Sequence, residues 1–227
     1  IYPLMQLWGF PTQQYHVPTD QELEDIMALV DASRVMIDGE QVTLGDGQQI
    51  DLGGIAKGYT SERVMDIFRE YGITSGMVSL GGNVQTLNTR TDGTPWKIGI
   101  QNPDGQQGSL LAVLSVENKA VITSGGYERY FEEDGNTYIH ILDPRTGYPA
   151  DSGLVSVSVI SENGMLADAL STSLYLMGEE QAAEYWRTHA DELDMILETD
   201  EGTLYVTEGI SQEIQTDNTT IVLNTEE

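Results

Sequence analysis

Strand-length apolar stretches follow one another through the middle of this chain with no helical period between most of them. That run constrains the fold more than any other feature. Residues 77–80, 96–100, 110–116, 121–122, 138–142 and 154–160 all have strand length. Asp92-Gly93, Asp104-Gly105 and Asp134-Gly135 read as turns among them. Helical periods lie outside this region. Residues 20–35 carry Leu23, Ile26, Met27 and Val30 at helical spacing, with acids in the first turn. Val64, Ile67, Phe68 and Tyr71 mark a second helix ended by Gly72, and residues 164–177 and 179–190 read as a third and a fourth. Short strands at 35–37 and 41–44 flank Asp38-Gly39, and the tail returns to strands at 195–198, 203–206 and 220–223. Strands in runs, instead of strict alternation with helices, predict an α+β fold over a doubly wound sheet.

A chain of 227 residues buries roughly 70% of its unfolded surface, enough for a substantial core. No internal repeat or long linker divides it. The 37 acidic and 10 basic side chains give a net charge of −27, which excludes nucleic acid as a partner because a phosphate backbone calls for a basic patch. With no cysteine, disulfides, thiolate metal sites and thiol nucleophiles are excluded together. No run of 18 apolar residues exists to form a transmembrane helix. The acidic, cysteine-free composition fits an extracytoplasmic protein at least as well as a cytosolic one. Ile1 to Phe10 has neither the basic start nor the cleavage site of a signal peptide and reads as the interior of a domain.

Four stretches can carry chemistry. On the third helix Asp168 and Thr172 lie four residues apart, so their oxygens stack on one face and can form part of a hard-cation site for Mg²⁺. The same spacing fits a solvated helix face, which is the default for a polar stripe. Residues 51–58, Asp51-Leu52-Gly53-Gly54-Ile55-Ala56-Lys57-Gly58, place three glycines before a helix, where backbone groups can approach a ligand closely. Lys57 is one of only three lysines, so a phosphate partner is plausible, although the spacing matches no nucleotide-binding fingerprint and a tight turn explains it equally well. His140 ends a strand ahead of Asp143-Pro144-Arg145-Thr146-Gly147 and can act as a base or simply be a satisfied core histidine. Thr123-Ser124-Gly125-Gly126 is a backbone nest for an anion or a plain turn.

In their order along one chain, Asp51 to Tyr59, Ser79-Leu80-Gly81-Gly82-Asn83, Thr123 to Phe131, His140 to Gly147 and Ala167 to Thr172 resemble the ApbE family of FAD:protein FMN transferases. The resemblance runs from Leu7-Trp8-Gly9-Phe10 to the tail strands and implies a single domain over residues 1–227, with mixed or antiparallel sheets and packed helices. Family members begin well upstream, so the chain is expected to start inside the family's domain. Gly54 often aligns with a residue bearing a small side chain, and Gly126 with an acidic one.

The resemblance also implies an activity. Family members transfer the FMN half of FAD to a threonine hydroxyl of a partner and release AMP, with Mg²⁺ beside the pyrophosphate. Carried over by position, the metal ligands are Asp168, Thr172 and the Gly54 carbonyl. Asp51, Lys57, His140 and Ile141 contact FAD, with Trp8, Gly9 and Phe10 lining the same cleft, and His140 is the expected proton acceptor. Implied partners are flavin-carrying subunits of Nqr- or Rnf-type redox pumps, and the implied location is outside the cytoplasmic membrane, on a lipoprotein anchored through a segment not present here. The alternatives are an FAD pyrophosphatase yielding FMN and AMP, and a non-catalytic FAD-binding surface protein.

Overall fold

The computed structural model describes residues 1–103, 105 and 108–226; the Asp104-Gly105 turn expected from sequence falls on Asp104, outside the described residues. In chain order the elements are α1 (Tyr2–Leu7), α2 (Asp20–Met27), β1 (Met36–Asp38), β2 (Gln41–Thr43), α3 (Ala56–Glu70), β3 (Gly76–Leu80) and β4 (Asn83–Leu87). They continue through β5 (Trp96–Gln101), β6 (Leu110–Val116), β7 (Ala120–Gly125), β8 (Tyr130–Glu133), β9 (Asn136–Ile139) and β10 (Leu154–Ser161). The chain closes with α4 (Gly164–Arg187), β11 (Asp194–Thr199), β12 (Leu204–Thr207), β13 (Ile214–Gln215) and β14 (Thr220–Leu223). The content is α+β with mixed sheets, as the runs of strands predict. Two compact units divide it, Ile1–Leu52 with Arg129–Ala150, and Gly53–Glu128 with Asp151–Glu227.

The first unit is built on aromatic packing. Leu4, Trp8, Phe10, Leu23, Phe131 and Leu142 form its core, and the Trp8 indole N–H donates to the Gly147 carbonyl at 2.8 Å. β8 and β9 make a hairpin whose turn residues Asp134 and Gly135 both have positive φ, the geometry that a tight hairpin requires. The helix expected over 20–35 stops at Met27. A capping box of Thr19 and Glu22 starts it, but Asp31 then turns its carboxylate onto the Ser33 N–H and caps a separate 3₁₀ turn at Ala32–Arg34. A short acidic side chain offering the backbone a local partner ends the longer helix.

The second unit is layered around a seven-stranded sheet ordered β14-β12-β11-β10-β7-β4-β3, antiparallel throughout except for the β12–β14 pair. The smaller β13-β6-β5 sheet shares a core with it, in which Ile98, Leu114, Val121, Ile160, Ile196 and Val206 are buried. α3 packs on β3 and β4, and α4 on β7 and β10. All but one of the β10 positions are therefore buried, and its three serines, Ser156, Ser158 and Ser161, each find a hydrogen-bond partner inside. α4 contains a non-helical residue, Gly178 (φ 77°, ψ 174°), so it is the pair of helical runs expected at 164–177 and 179–190.

Three strands, β4, β8 and the two-residue β13, have no counterpart in the sequence expectations. β4 reads Asn83-Val84-Gln85-Thr86-Leu87, a polar stretch by composition. Asn83, Gln85 and Thr86 are nonetheless at most 2% exposed, because each finds a hydrogen-bond partner inside.

Candidate metal and flavin site

α3 begins at Ala56 behind Ile55, whose side chain provides no cap, so its first N–H groups need partners from elsewhere. One partner is a carboxylate from another helix. Asp168 on α4 is 5% exposed; its Oδ2 accepts the Gly58 N–H at 2.7 Å and its Oδ1 accepts the Asn83 amide at 3.0 Å. These bonds offset the cost of burying a charge, and the positive end of the α3 dipole adds to them. Each carboxylate oxygen still has acceptor capacity beyond its one bond.

Thr172, one turn further along α4, has its hydroxyl 3.0 Å from Ser124 Oγ, which lies 2.8 Å from Ser171 Oγ. The polar stripe of this helix thus faces inward: Asp168, Ser171 and Tyr175 are all buried. The solvated-face reading is overturned, because hydrogen bonds from α3, β4 and β7 compensate its burial. After β7, burial pushes the Tyr127 phenol up to about 12, with Glu128 and Glu198 adding to the effect. Tyr127 is therefore a poor proton acceptor at neutral pH.

Lys57 is half-buried in the first turn of α3 and Gly54 is exposed just ahead of it; both belong to the second unit. Asp51, exposed, belongs to the first unit, as do His140, Ile141, Trp8, Gly9 and Phe10. Trp8, Phe10 and Ile141 are at most 5% exposed. His140 Nδ1 lies 3.1 Å from the Arg129 carbonyl, and its ring stands edge-on to Phe10. Because a carbonyl only accepts, the neutral ring carries its proton on Nδ1, leaving Nε2 as the basic nitrogen.

The sequence singled out neither Glu62 nor Gln85, and it marked Asn83, Ser124 and Ser171 only as members of motifs, Ser124 within the possible anion nest, with no contact to Asp168 or Thr172 assigned. Apart from the local bond of Ser171 to the Asp168 carbonyl, the side-chain contacts that join these residues to the site span between 23 and 102 residues, so no local pattern shows them. The available signals were the motifs Ser79 to Asn83, Thr123 to Phe131 and Ala167 to Thr172.

For Mg²⁺ the donor chemistry fits. Asp168 and Thr172 bring a carboxylate and a hydroxyl on one helix face, and backbone carbonyls of the glycine-rich stretch are oxygen donors of the same hard type. Among the described residues no cluster of three or more His, Asp or Glu could hold a metal. A cation here would therefore rely on water and substrate phosphate for its remaining ligands, which is the habit of Mg²⁺.

By architecture this is an α+β protein of the ApbE type. It superimposes on the ApbE protein from Thermotoga maritima with a TM-score of 0.85 at 34% identity, over 93% of this chain and 70% of that one. The flavin transferase ApbE from Vibrio cholerae gives 0.81 at 33% identity, over 93% and 68%. The chain belongs to the ApbE family, whose model matches residues 1–197. Among curated relatives, an FAD:protein FMN transferase of Vibrio cholerae is 37% identical over 203 residues, covering 88% of this chain and 61% of the relative. One from Escherichia coli is 32% identical over 213 residues, covering 90% and 60%. The chain thus spans about three fifths of the length of these relatives.

Proposed function

We propose that this chain is the larger part of an FAD:protein FMN transferase that uses Mg²⁺ and moves FMN to a threonine hydroxyl of a partner protein. The observation that carries the reading is the buried Asp168 carboxylate, held by Gly58 and Asn83 beside Thr172, in a family whose curated members bear that name.

The reaction forms a bond from the threonine oxygen to the FMN phosphorus and breaks the pyrophosphate bridge. AMP leaves with the bridging oxygen, and the threonine proton goes to a base. Such a transfer asks mainly for positioning and charge neutralisation. Asp168, Thr172 and the Gly54 carbonyl would hold Mg²⁺, which supplies Lewis-acid neutralisation of the phosphates. Lys57 offsets further phosphate charge from the first turn of α3. His140 accepts the threonine proton at Nε2 while the Arg129 carbonyl fixes its tautomer. By carry-over from the family, Asp51 and Ile141 contribute flavin contacts and Trp8, Gly9 and Phe10 line the flavin cleft.

The reading extends to flavin-carrying subunits of Nqr- or Rnf-type pumps as acceptors, and to a lipid-anchored location outside the cytoplasmic membrane. It also treats residues 1–227 as serving one functional domain. Mass spectrometry tests the central reaction. A threonine-bearing acceptor peptide incubated with the chain, FAD and Mg²⁺ should gain one FMN, with AMP released in equal amount. An unmodified peptide alongside free FMN and AMP would make the protein a pyrophosphatase, and FAD bound without turnover would make it a flavin-binding protein.

A further inference from the structure

We propose that Glu62 and Gln85 are a positioning pair that fixes the register of α4 against α3, and so holds the Asp168 carboxylate where a divalent cation can use it. The inference rests on the cation reading above. Glu62 Oε2 accepts the Gln85 amide at 2.8 Å and the Gly164 N–H, at the start of α4, at 2.9 Å. Gln85 is 2% exposed, and its other amide atom, Oε1, accepts from Ser61 Oγ at 2.7 Å.

These contacts form two rungs. On α3, Gly58 and Glu62 are one turn apart; on α4, so are Gly164 and Asp168. Gly58 bonds Asp168 and Glu62 bonds Gly164, so the helices run antiparallel and are cross-linked at points about 6 Å apart along their axes. β4 backs both rungs from one face, because alternate strand residues point the same way at a spacing of roughly 7 Å. Asn83 supports the Asp168 rung and Gln85 the Glu62 rung.

The helices meet at bare backbone. A Cβ on Gly58 would stand 2.3 Å from the Gly164 carbonyl oxygen and 2.5 Å from Asp168 Cβ; one on Gly164 would stand 2.3 Å from Gln85 Oε1. Helix pairs normally set their register by interdigitating side chains. Glycine at the crossing removes that device, and the directional bonds of Glu62 and Gln85 replace it. Without the second rung α4 can slide along α3, and the Asp168 carboxylate leaves the Gly58 N–H.

Mn²⁺ titration in the presence of FAD, with the free ion followed by electron paramagnetic resonance, tests this directly. Asp168→Asn supplies the background from non-specific binding to the acidic surface. Folded Glu62→Ala and Gln85→Leu are expected to bind Mn²⁺ about 10- to 100-fold more weakly than the wild type. Glu62→Gln keeps an oxygen acceptor for both donors and should recover to within a few-fold. Should Glu62→Ala fail to fold, Gln85→Met, close to the native size, gives the same readout. Wild-type Mn²⁺ affinity in a folded Glu62→Ala or Gln85→Met protein would overturn the positioning role while leaving the cation site intact. A wild type indistinguishable from Asp168→Asn would overturn the cation reading and this inference with it.

Discussion

At the scale of single residues, Gly54 and Gly58, one helical turn apart in sequence, make opposite predictions. A methyl group on Gly58 meets α4 backbone at 2.3 Å, whereas one on Gly54 meets nothing within 4 Å. Gly58→Ala should lose roughly 1–3 kcal/mol in urea unfolding, as overpacked sites do, and Gly54→Ala should unfold like the wild type. Equal stability in both variants would mean that the close crossing of α3 and α4 is wrong. Under the proposed mechanism, His140→Gln should lower turnover about 10²- to 10⁴-fold, the usual contribution of a general base, with little change in FAD affinity. Weakened FAD binding at unchanged turnover would make His140 a binding residue. The pairing of Asp168 with Thr172 was legible because four-residue spacing on a helix is local information. That the pair faces inward was not, since its donors come from Gly58, 110 residues away, and Asn83, 85 away.

Elements differ in how firmly their ends are written in sequence. α2 starts where Thr19 and Glu22 reciprocate hydrogen bonds, a signature readable in advance, but Asp31 shortens it through a bond to a neighbour two residues on. Thr19's backbone N–H and hydroxyl, with His16, hold the Glu22 carboxyl down at about 2, below its ordinary 4.5. A lowered pKa in the folded state stabilises the start of α2 above pH 4.5, and that stabilisation drains away as pH falls towards 2. Protection factors of α2 amides, measured by hydrogen exchange, should decline across this window in the wild type. In Glu22→Gln they should be lower at neutral pH and flat below it. A wild-type profile without that decline would show that the capping box does not form. β4 escaped sequence reading for a different reason. Strand recognition rewards apolar alternation, and β4 buries Asn83 and Gln85 against the helices instead.

The whole molecule carries −27 charges and is expected to act on FAD, whose pyrophosphate is also anionic. Long-range repulsion then opposes encounter, and about 0.15 M salt screens it to a range near 8 Å. Raising ionic strength from low values to that level should speed FAD association in stopped-flow fluorescence; slowing would mean that local cations such as Lys57 dominate the approach. Fold class was legible at this scale because runs of strands outweigh alternation, and family membership because several motifs keep their order along the chain. The division into two units was not, since residues 129–150 return to the N-terminal segment with no linker to announce it. The most direct test of the central claim is a crystal structure of this chain with FAD and Mg²⁺. The ion should sit about 2.1 Å from an Asp168 carboxylate oxygen and from the Thr172 hydroxyl, against the FAD pyrophosphate. An ion or pyrophosphate bound elsewhere, with Asp168 contacting only Gly58 and Asn83, would contradict it.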